Sequence, residues 1–181
     1  MRNRIVSITS IIFILVFGSC AMAEEPQNAF RRVELNWNIR SYNRLSSSKY
    51  VGDQLSIAVK VLPRLAAVAE VDEHTDDCGC SKITAQRYGA RFSSQLGKRW
   101  THYEQVLAGT AQLDFQNGSS LMAGGGIDFA VRPWLALRPA EIHYTYYHFD
   151  PVSNHGVPVF DSKSLHGVRV DFGIVFRLIR K

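Results

Sequence analysis

The stretch that decides the fold is VRVDFGIVFRL, residues 168–178, close to the end of a chain of 181 residues. Its even-numbered positions all carry apolar side chains. Its odd-numbered positions carry, in order, Arg169, Asp171, Gly173, Val175 and Arg177. Successive side chains of a β-strand point to opposite faces of the sheet. The stretch therefore predicts a strand with one apolar face and one largely charged face.

The same alternation of apolar and polar residues recurs along the chain. It is regular in five further segments, which are residues 33–40, 54–61, 65–71, 87–93 and 121–131. Period-two alternation over such lengths is typical of strands that bury one face. Each of these segments is therefore predicted to be a strand of the same sheet.

Two further segments are less regular. Residues 101–113 are predicted to form a strand, but their pattern does not assign its faces. Residues 135–146 alternate, shift phase at Arg138-Pro139 and alternate again, which predicts a β-bulge at the proline. The total is eight strands joined in simple hairpins. The predicted fold is all-β, an eight-stranded antiparallel up-and-down barrel, which leaves no exposed edge.

Composition and the first residues limit the class of protein. With 46% apolar and 20% charged residues and a net charge of +5, the chain is neither disordered nor a coiled coil, and nucleic-acid binding has no compositional support. Residues 1–23 combine a basic start, an apolar run and Ala-Met-Ala, which predicts a cleaved secretory signal peptide before a barrel domain at 24–181. The alternatives are a membrane anchor and a lipoprotein acylated at Cys20.

The predicted connections differ in length at the two ends of the barrel. Residues 46–53, 72–82 and 150–163 are predicted as long polar loops, with a tighter loop at 115–119 on the same end. Short turns are predicted at 62–64, 97–99 and 132–133, with Trp100 and Trp134 beside them. Outer-membrane barrels have short periplasmic turns, longer outer loops and interfacial aromatic residues.

Alternation alone does not say which face points outward. The polar face carries opposite charges and several glycines, which suits a crowded interior, so a transmembrane barrel with its apolar face in lipid is favoured. The alternative is a soluble periplasmic barrel that binds lipid in an apolar interior. Outer-membrane lipid is accordingly the expected partner, and the barrel is expected to be a monomer without a cofactor.

Three motifs resemble a known family. These are MAGGGID at 122–128, LALRP at 135–139 and VDFGIVFR at 170–177. They resemble small bacterial outer-membrane β-barrel proteins, the family of OmpA-like and OmpX-like barrel domains, and most closely its acidobacterial type. The resemblance covers residues 88–177 most strongly. It implies an outer-membrane location, a porin-like Gram-negative envelope protein, and insertion by the barrel-assembly machinery.

The face predicted to point inward carries many charges. They are expected to pair into a network that plugs the lumen, and a narrow ion path is the alternative. The predicted members are Glu34, Arg40, Lys60, Glu70, Arg87, Arg91, Asp128, Glu141, His143, Arg169, Asp171 and Arg177.

One pair of residues suggests an enzymatic alternative. His143 and Thr145 lie two apart on one strand, as in the His-x-Ser pair of lipid A-modifying barrel hydrolases, and share a face. Thr145 is a poorer nucleophile than serine, and the strand phase turns His143 inward. The favoured reading is therefore an interior histidine bonded to a carboxylate such as Glu141 or Asp128, in a barrel with a non-catalytic structural, surface-interaction or narrow-pore role.

The segment DEHTDDCGC, residues 72–80, is the least ordinary part of the chain. His74, Cys78 and Cys80 are residue types that bind zinc or copper, but Cys-x-Cys lacks the spacing of structural zinc sites. The favoured interpretation is an acidic, solvated loop in which Cys78 and Cys80 form a local disulfide.

Overall fold

The computed structural model describes residues 33–46, 48–154 and 157–178, except for the side chains of Arg40 and of residues 153–159. The predicted signal peptide at 1–23, with Cys20, lies outside the described residues. The elements are β1 (Val33–Leu45), β2 (Ser48–Lys60), β3 (Leu65–Asp76), β4 (Lys82–Gln95), β5 (Trp100–Leu113), β6 (Gln116–Arg132), β7 (Leu135–Phe149), β8 (Val152–Asn154), β9 (Val157–Phe160) and β10 (Lys163–Leu178).

Eight of these strands close into a barrel. Their order around the barrel is β1-β10-β7-β6-β5-β4-β3-β2, and every neighbouring pair is antiparallel. β8 and β9 form a separate small hairpin between β7 and β10. The predicted all-β, eight-stranded up-and-down barrel is therefore confirmed. The described residues contain no helix that is long and apolar enough to cross a membrane.

The apolar face of the barrel points outward. In β10 the Val168 side chain is 49% exposed, whereas that of Arg169 is 0% exposed. The same holds in β7, where Ile142 is exposed and His143 is buried. The interior is thus lined in large part by polar and charged groups. It is unlike the apolar cavity that the soluble lipid-binding alternative requires.

The predicted bulge in β7 lies at the proline. Against β10, Glu141 pairs with Asp171 but Arg138 pairs with Gly173, so β7 has one extra residue between these pairs. Against β6, the register shifts over the same stretch. Proline has no backbone N–H to donate to a neighbouring strand. A bulge at the proline therefore loses fewer hydrogen bonds than a bulge elsewhere in the strand. The bulge lets Arg138 and Glu141 both point inward.

The connections correct the predicted loops. The end that holds the hairpin of β8 and β9, here called the loop end, otherwise has short connections between β1 and β2, between β3 and β4, and between β5 and β6. Most of the predicted loops at 46–53 and 115–119, and the first part of 72–82, are strand. The other end, here called the terminal end, holds Val33, Leu178 and the turns at 61–64, 96–99 and 133–134, as predicted.

The error at the loop end has a physical reason. Runs of polar residues predict loops, but a polar residue on the inward face of a barrel continues the strand. The two-residue turns are formed instead with Ser46 and Asp114 at positive φ, 52° and 51°. Small polar residues reach this conformation at lower cost than bulky ones.

β5 is the strand whose faces the sequence could not assign. Its inward residues include Tyr103, Leu107 and Leu113, and its outward residues include Glu104 and Thr110. Apolar side chains thus point inward and polar ones outward over part of this strand. Alternation cannot separate the faces where the interior itself is partly apolar.

Candidate functional site

The barrel interior divides into layers along its axis. At the loop end lies the apolar cap, a cluster of buried residues, nearly all of which lie within a few residues of the strand ends. Its members are Leu45, Tyr50, Ile83, Ala85, Ala111, Leu113, Tyr147, Phe149 and Leu165. A smaller apolar patch lies across β2, β3, β5 and β6, formed by Ala58, Ala66, Val68, Leu107 and Met122. The rest of the interior is dominated by charge.

The charged layer begins directly beneath the cap with two arginines that share two carboxylates. Arg169 Nη1 lies 3.1 Å from Glu70 Oε1 and 2.7 Å from Asp72 Oδ2. Arg87 Nη1 lies 3.1 Å from Glu70 Oε1 and also donates to Asp72. All four side chains are fully buried. Since each carboxylate faces two guanidinium groups, the charges in this ring balance.

Further hydrogen bonds fix both arginines. Arg87 donates through Nη2 to the Tyr147 hydroxyl at 2.7 Å and through Nε to Ser120 Oγ at 2.6 Å. Arg169 donates through Nε to Asp171 Oδ2 at 2.8 Å and through Nη2 to Gln54 Oε1 at 3.1 Å. The ring and its hydrogen-bond partners therefore come from six strands, and Tyr147 joins the ring to the apolar cap.

A second group of charges lies toward the terminal end. Arg138 binds Asp128 with two donors, at 2.8 Å and 3.3 Å, and Glu141 at 3.3 Å. Glu141 also accepts from Asn38 Nδ2 at 2.9 Å and Gln105 Nε2 at 3.2 Å. Charged hydrogen bonds of this kind are what make buried charges tolerable.

Tyr103 lies between two arginines. Its ring centroid is 4.6 Å from the Arg91 guanidinium carbon and 4.3 Å from that of Arg138. Both distances are within the range of cation–π attraction. A Cβ at Gly126 would lie only 2.7 Å from the Tyr103 hydroxyl, and one at Gly124 would lie 2.7 Å from His143 Cδ2. The glycines of the 124–126 run thus make room for two large interior side chains.

The terminal end closes more loosely. Glu34 Oε1 lies 3.4 Å from Arg177 Nε, and Glu34 Oε2 lies 3.8 Å from Arg91 Nη1. Arg177 Nη2 lies 3.6 Å from Asp128 Oδ2. Lys60 donates to the carbonyl oxygen of Pro63 at 3.2 Å. These are longer contacts than those of the arginine ring, in a more exposed setting.

Of the twelve residues predicted to charge the lumen, the structure buries nine inside the barrel. Glu34 and Lys60 are half-buried at the terminal end, and the side chain of Arg40 lies outside the described residues. Sequence reasoning missed Asp72 and Arg138. The sequence predicts a loop at Asp72. Because Leu135 and Leu137 are predicted to face outward, alternation already indicates that the next residue, Arg138, faces inward. The buried residues are Glu70, Arg87, Arg91, Asp128, Glu141, His143, Arg169, Asp171 and Arg177.

The candidate catalytic pair is not assembled as a dyad. His143 is fully buried, with Nε2 3.1 Å from Gln105 Nε2 and 3.3 Å from Glu141 Oε1, and Nδ1 3.6 Å from Asp171 Oδ2. Thr145 instead donates to Asn43 Oδ1 at 3.4 Å. Both side chains face the interior, so a lipid acyl chain outside the barrel has no access to either.

The residues of the candidate metal loop are separated. His74 is fully buried in the interior, with Nε2 2.7 Å from Ser41 Oγ, whereas Cys78 and Cys80 are exposed in the turn at 77–81. The predicted loop at Asp72 is therefore wrong, because Asp72 and His74 are strand residues that face inward. Both cysteines are free thiols, and Cys80 Sγ donates to the Cys78 carbonyl oxygen at 3.6 Å.

One group has metal-binding residue types within reach of one another. In the described part of the chain these are Glu141, His143 and Asp171, whose candidate ligand atoms lie within 4.8 Å. Arg138 and Arg169 contact this group, as given above. A divalent cation would have to displace or repel them, so the arrangement favours charge pairing over metal binding.

Three solved structures show what the fold resembles. Neisserial surface protein A (NspA) matches with a TM-score of 0.60 at 13% identity, covering 82% of this chain and 97% of that chain. The fold is that of a small outer-membrane barrel. The outer membrane protein OprG from Pseudomonas aeruginosa matches with a TM-score of 0.57 at 7% identity, over 82% of this chain and 96% of its own.

The outer membrane protein AlkL, solved in DMPC lipid bilayers, matches with a TM-score of 0.55 at 10% identity, over 88% of this chain and 95% of its own. No protein-family model and no curated protein matches this sequence. At such low identities the similarity establishes the fold alone, since small barrels of one architecture carry different functions.

Proposed function

We propose that this chain is an outer-membrane β-barrel protein whose lumen is closed by its own side chains, with a non-catalytic, structural role in the envelope. The observation that carries the proposal is that the apolar face of the barrel points outward and the charged face points inward, the reverse of a water-soluble protein. Large apolar residues such as Trp37, Leu55 and Ile142 are about half exposed on the outside, while Arg87 and Arg169 are buried inside. In water this arrangement would be costly, and in lipid it is the stable one.

A closed lumen is supported by the balance of interior charge. Among the described side chains, those inside the barrel between the apolar cap and the terminal end include six carboxylates and six cations. An ion path of one sign would need an excess of the other sign along a wet channel. The set is Glu34, Glu70, Asp72, Asp128, Glu141 and Asp171 against Lys60, Arg87, Arg91, Arg138, Arg169 and Arg177.

The cellular context belongs to the same proposal. Residues 1–23 serve as a cleaved signal peptide, and the barrel-assembly machinery inserts residues 24–181 as a monomer surrounded by outer-membrane lipid. The subtype is that of OmpA-like and OmpX-like barrels of acidobacterial type, on the motifs at 122–139 and 170–177. The loop end, with the hairpin of β8 and β9, is the surface available to an external partner.

Fractionation and gel mobility test location and closure together. The protein is expected in the outer-membrane fraction and should migrate faster on SDS gels unheated than boiled. Recovery in the soluble periplasmic fraction with no mobility shift would contradict the proposal.

Conductance tests the plug. In planar bilayers the wild-type barrel should give no steady channel current. A variant with Arg87→Ser and Arg169→Ser, if heat-modifiable, should conduct more than wild type because the arginine ring is removed. A wild-type barrel that conducts steadily would favour the narrow-pore alternative instead.

A further inference from the structure

The terminal end of the barrel contains a small polar cavity between the charged layer and the short turns. Its volume is about 30 Å³, and Arg91, Tyr103, Arg177, Glu34, Asp128 and Lys60 are among the side chains that line it. These residues come from β1, β2, β4, β5, β6 and β10. The cavity is therefore a product of barrel closure, which brings distant parts of the chain to one point.

Three donors of this lining make no hydrogen bond to a described group, although one of them, Arg177 Nε, is ion-paired with Glu34 Oε1 at 3.4 Å. They are Arg91 Nη2, Arg177 Nε and the Tyr103 hydroxyl, and no described protein group accepts from them. Arg91 and Tyr103 are each 1% exposed, and Arg177 is 9% exposed. A buried donor left unpaired is costly, so native interiors normally supply an acceptor.

Most of the unpaired buried atoms elsewhere in the described residues are acceptors. They are Asn36 Oδ1, Asn38 Oδ1, Asp72 Oδ1, Asp171 Oδ1 and Glu104 Oε2, together with His74 Nδ1. The three unpaired atoms that line the cavity are therefore distinguished by being donors. A water molecule can serve either kind of group, but a site with only donors unsatisfied is suited to an anion.

The carboxylates of the cavity do not supply the missing acceptor. Asp128 accepts from two donors of Arg138 and lies 3.6 Å from Arg177 Nη2. Glu34 lies 3.4 Å from Arg177 Nε and 3.8 Å from Arg91 Nη1, without hydrogen-bond geometry to Arg177 Nε. The lining cations Lys60, Arg91 and Arg177 outnumber the two carboxylates. The net charge of the lining is therefore positive.

We propose that this cavity is a binding site for one small inorganic anion of chloride size. The anion would accept charge-assisted hydrogen bonds from Arg91 and Arg177 and a neutral one from the Tyr103 hydroxyl. The cavity has room for a monoatomic anion. The bound anion would complete the closure of the lumen at the terminal end, where the ion pairs are longest.

The test is anion-specific stabilisation of the purified full-length barrel in detergent. The midpoint of heat-modifiability is measured in sodium chloride and in sodium gluconate at equal ionic strength, because gluconate is a much larger anion than chloride. Chloride is expected to raise the midpoint of wild type saturably, because a ligand that binds only the folded state stabilises it. Equal midpoints in the two salts would overturn the proposal.

Two tyrosine variants provide the matched comparison. Tyr103→Phe keeps the ring between the arginines and removes only the hydroxyl, and should weaken chloride binding by about tenfold. Tyr147→Phe removes the hydroxyl of another buried interior tyrosine that does not line the cavity. It should lower the midpoint in both salts and leave the difference between the salts unchanged.

Lys60→Gln, at the mouth of the cavity, should weaken chloride binding without disturbing the arginine ring. Anomalous diffraction from crystals grown in bromide then locates the anion. A bromide peak beside Arg91 and Arg177 is expected. Water alone in the cavity, or a chloride response that Tyr103→Phe leaves intact, would contradict the proposal and assign the cavity to solvent.

Discussion

The apolar cap and the charged layer are two regions of one interior that are equally buried and differently stabilised. In the cap, Ile83 and Phe149 are 0% exposed and gain stability by leaving water, which requires no particular partner. In the charged layer, Arg87 and Arg169 are also 0% exposed, and each depends on named carboxylates at hydrogen-bond distance. Burial alone therefore does not determine how much a residue contributes to the stability of the barrel. In the charged layer, the loss of stability on substitution depends on the buried charges that are left unpaired.

The largest expected effect comes from breaking the arginine ring. Arg169→Ala leaves Glu70, Asp72 and Asp171 buried with fewer cations, and should destabilise the barrel by about 3–5 kcal/mol. The measurement is the midpoint of unfolding in urea, followed by the gel mobility of unheated samples. Arg132→Ala, which removes an exposed cation from the last residue of β6, is the control and should change stability by less than about 0.5 kcal/mol. Equal effects of the two variants would show that the ring carries no net stability.

The next effect lies at the boundary between the two regions. Tyr147 stacks on Phe149 in the cap, with ring centroids 6.0 Å apart, and its hydroxyl accepts from Arg87. Tyr147→Phe keeps the stacking and leaves one donor of Arg87 unpaired, and should cost about 1.5–3 kcal/mol. Urea unfolding measures it. A variant as stable as wild type would mean that the cap and the charged layer are independent.

A smaller effect is expected inside the cap. Ile83→Val removes one methylene from a fully buried site and should cost about 0.5–1.5 kcal/mol, because the lost transfer free energy is small and the neighbours relax. The same unfolding assay applies. A loss as large as that of Arg169→Ala would contradict the distinction between partner-dependent and partner-independent burial.

The smallest effect is expected in the exposed turn at 77–81, outside both regions. Hydrogen bonding to Cys80 and to Asp76 raises the pKa of the Cys78 thiol to about 11. Because the thiolate is the reactive form, iodoacetamide should modify Cys78 slowly at pH 8 and faster as the pH rises toward 11. The Cys78→Ser/Cys80→Ser variant should unfold at the wild-type midpoint. Rapid alkylation at pH 8 would contradict the assigned hydrogen bonds.

How much the sequence predicts differs between the two regions in the same way. The barrel itself followed from alternation in segments such as 168–178, where each residue's face depends only on parity. The pairing inside did not, because Arg169 meets Glu70 and Asp72, which are 99 and 97 residues away along the chain. Such contacts arise only when the barrel closes, and no local pattern encodes them.

The failures at Asp72 and in β5 have a common cause. Sequence patterns treat polar residues as exposed and apolar residues as buried, and a barrel with a charged interior reverses this rule. Asp72 is predicted in a solvated loop but is 3% exposed, and the apolar Leu107 in β5 is buried inside the barrel. In the apolar cap the interior is apolar as well, so alternation does not separate the two faces there.

The central claim is that the apolar face of the barrel contacts lipid, and tryptophan fluorescence tests it most directly. All three tryptophans of the chain, Trp37, Trp100 and Trp134, lie on the outer surface and are 50%, 41% and 54% exposed. In vesicles of phospholipid brominated on the acyl chains, their emission should be strongly quenched. With Trp100→Phe and Trp134→Phe, the remaining Trp37 should be quenched by the more deeply placed bromines. Emission that stays unquenched in protein bound to the vesicles would contradict the account.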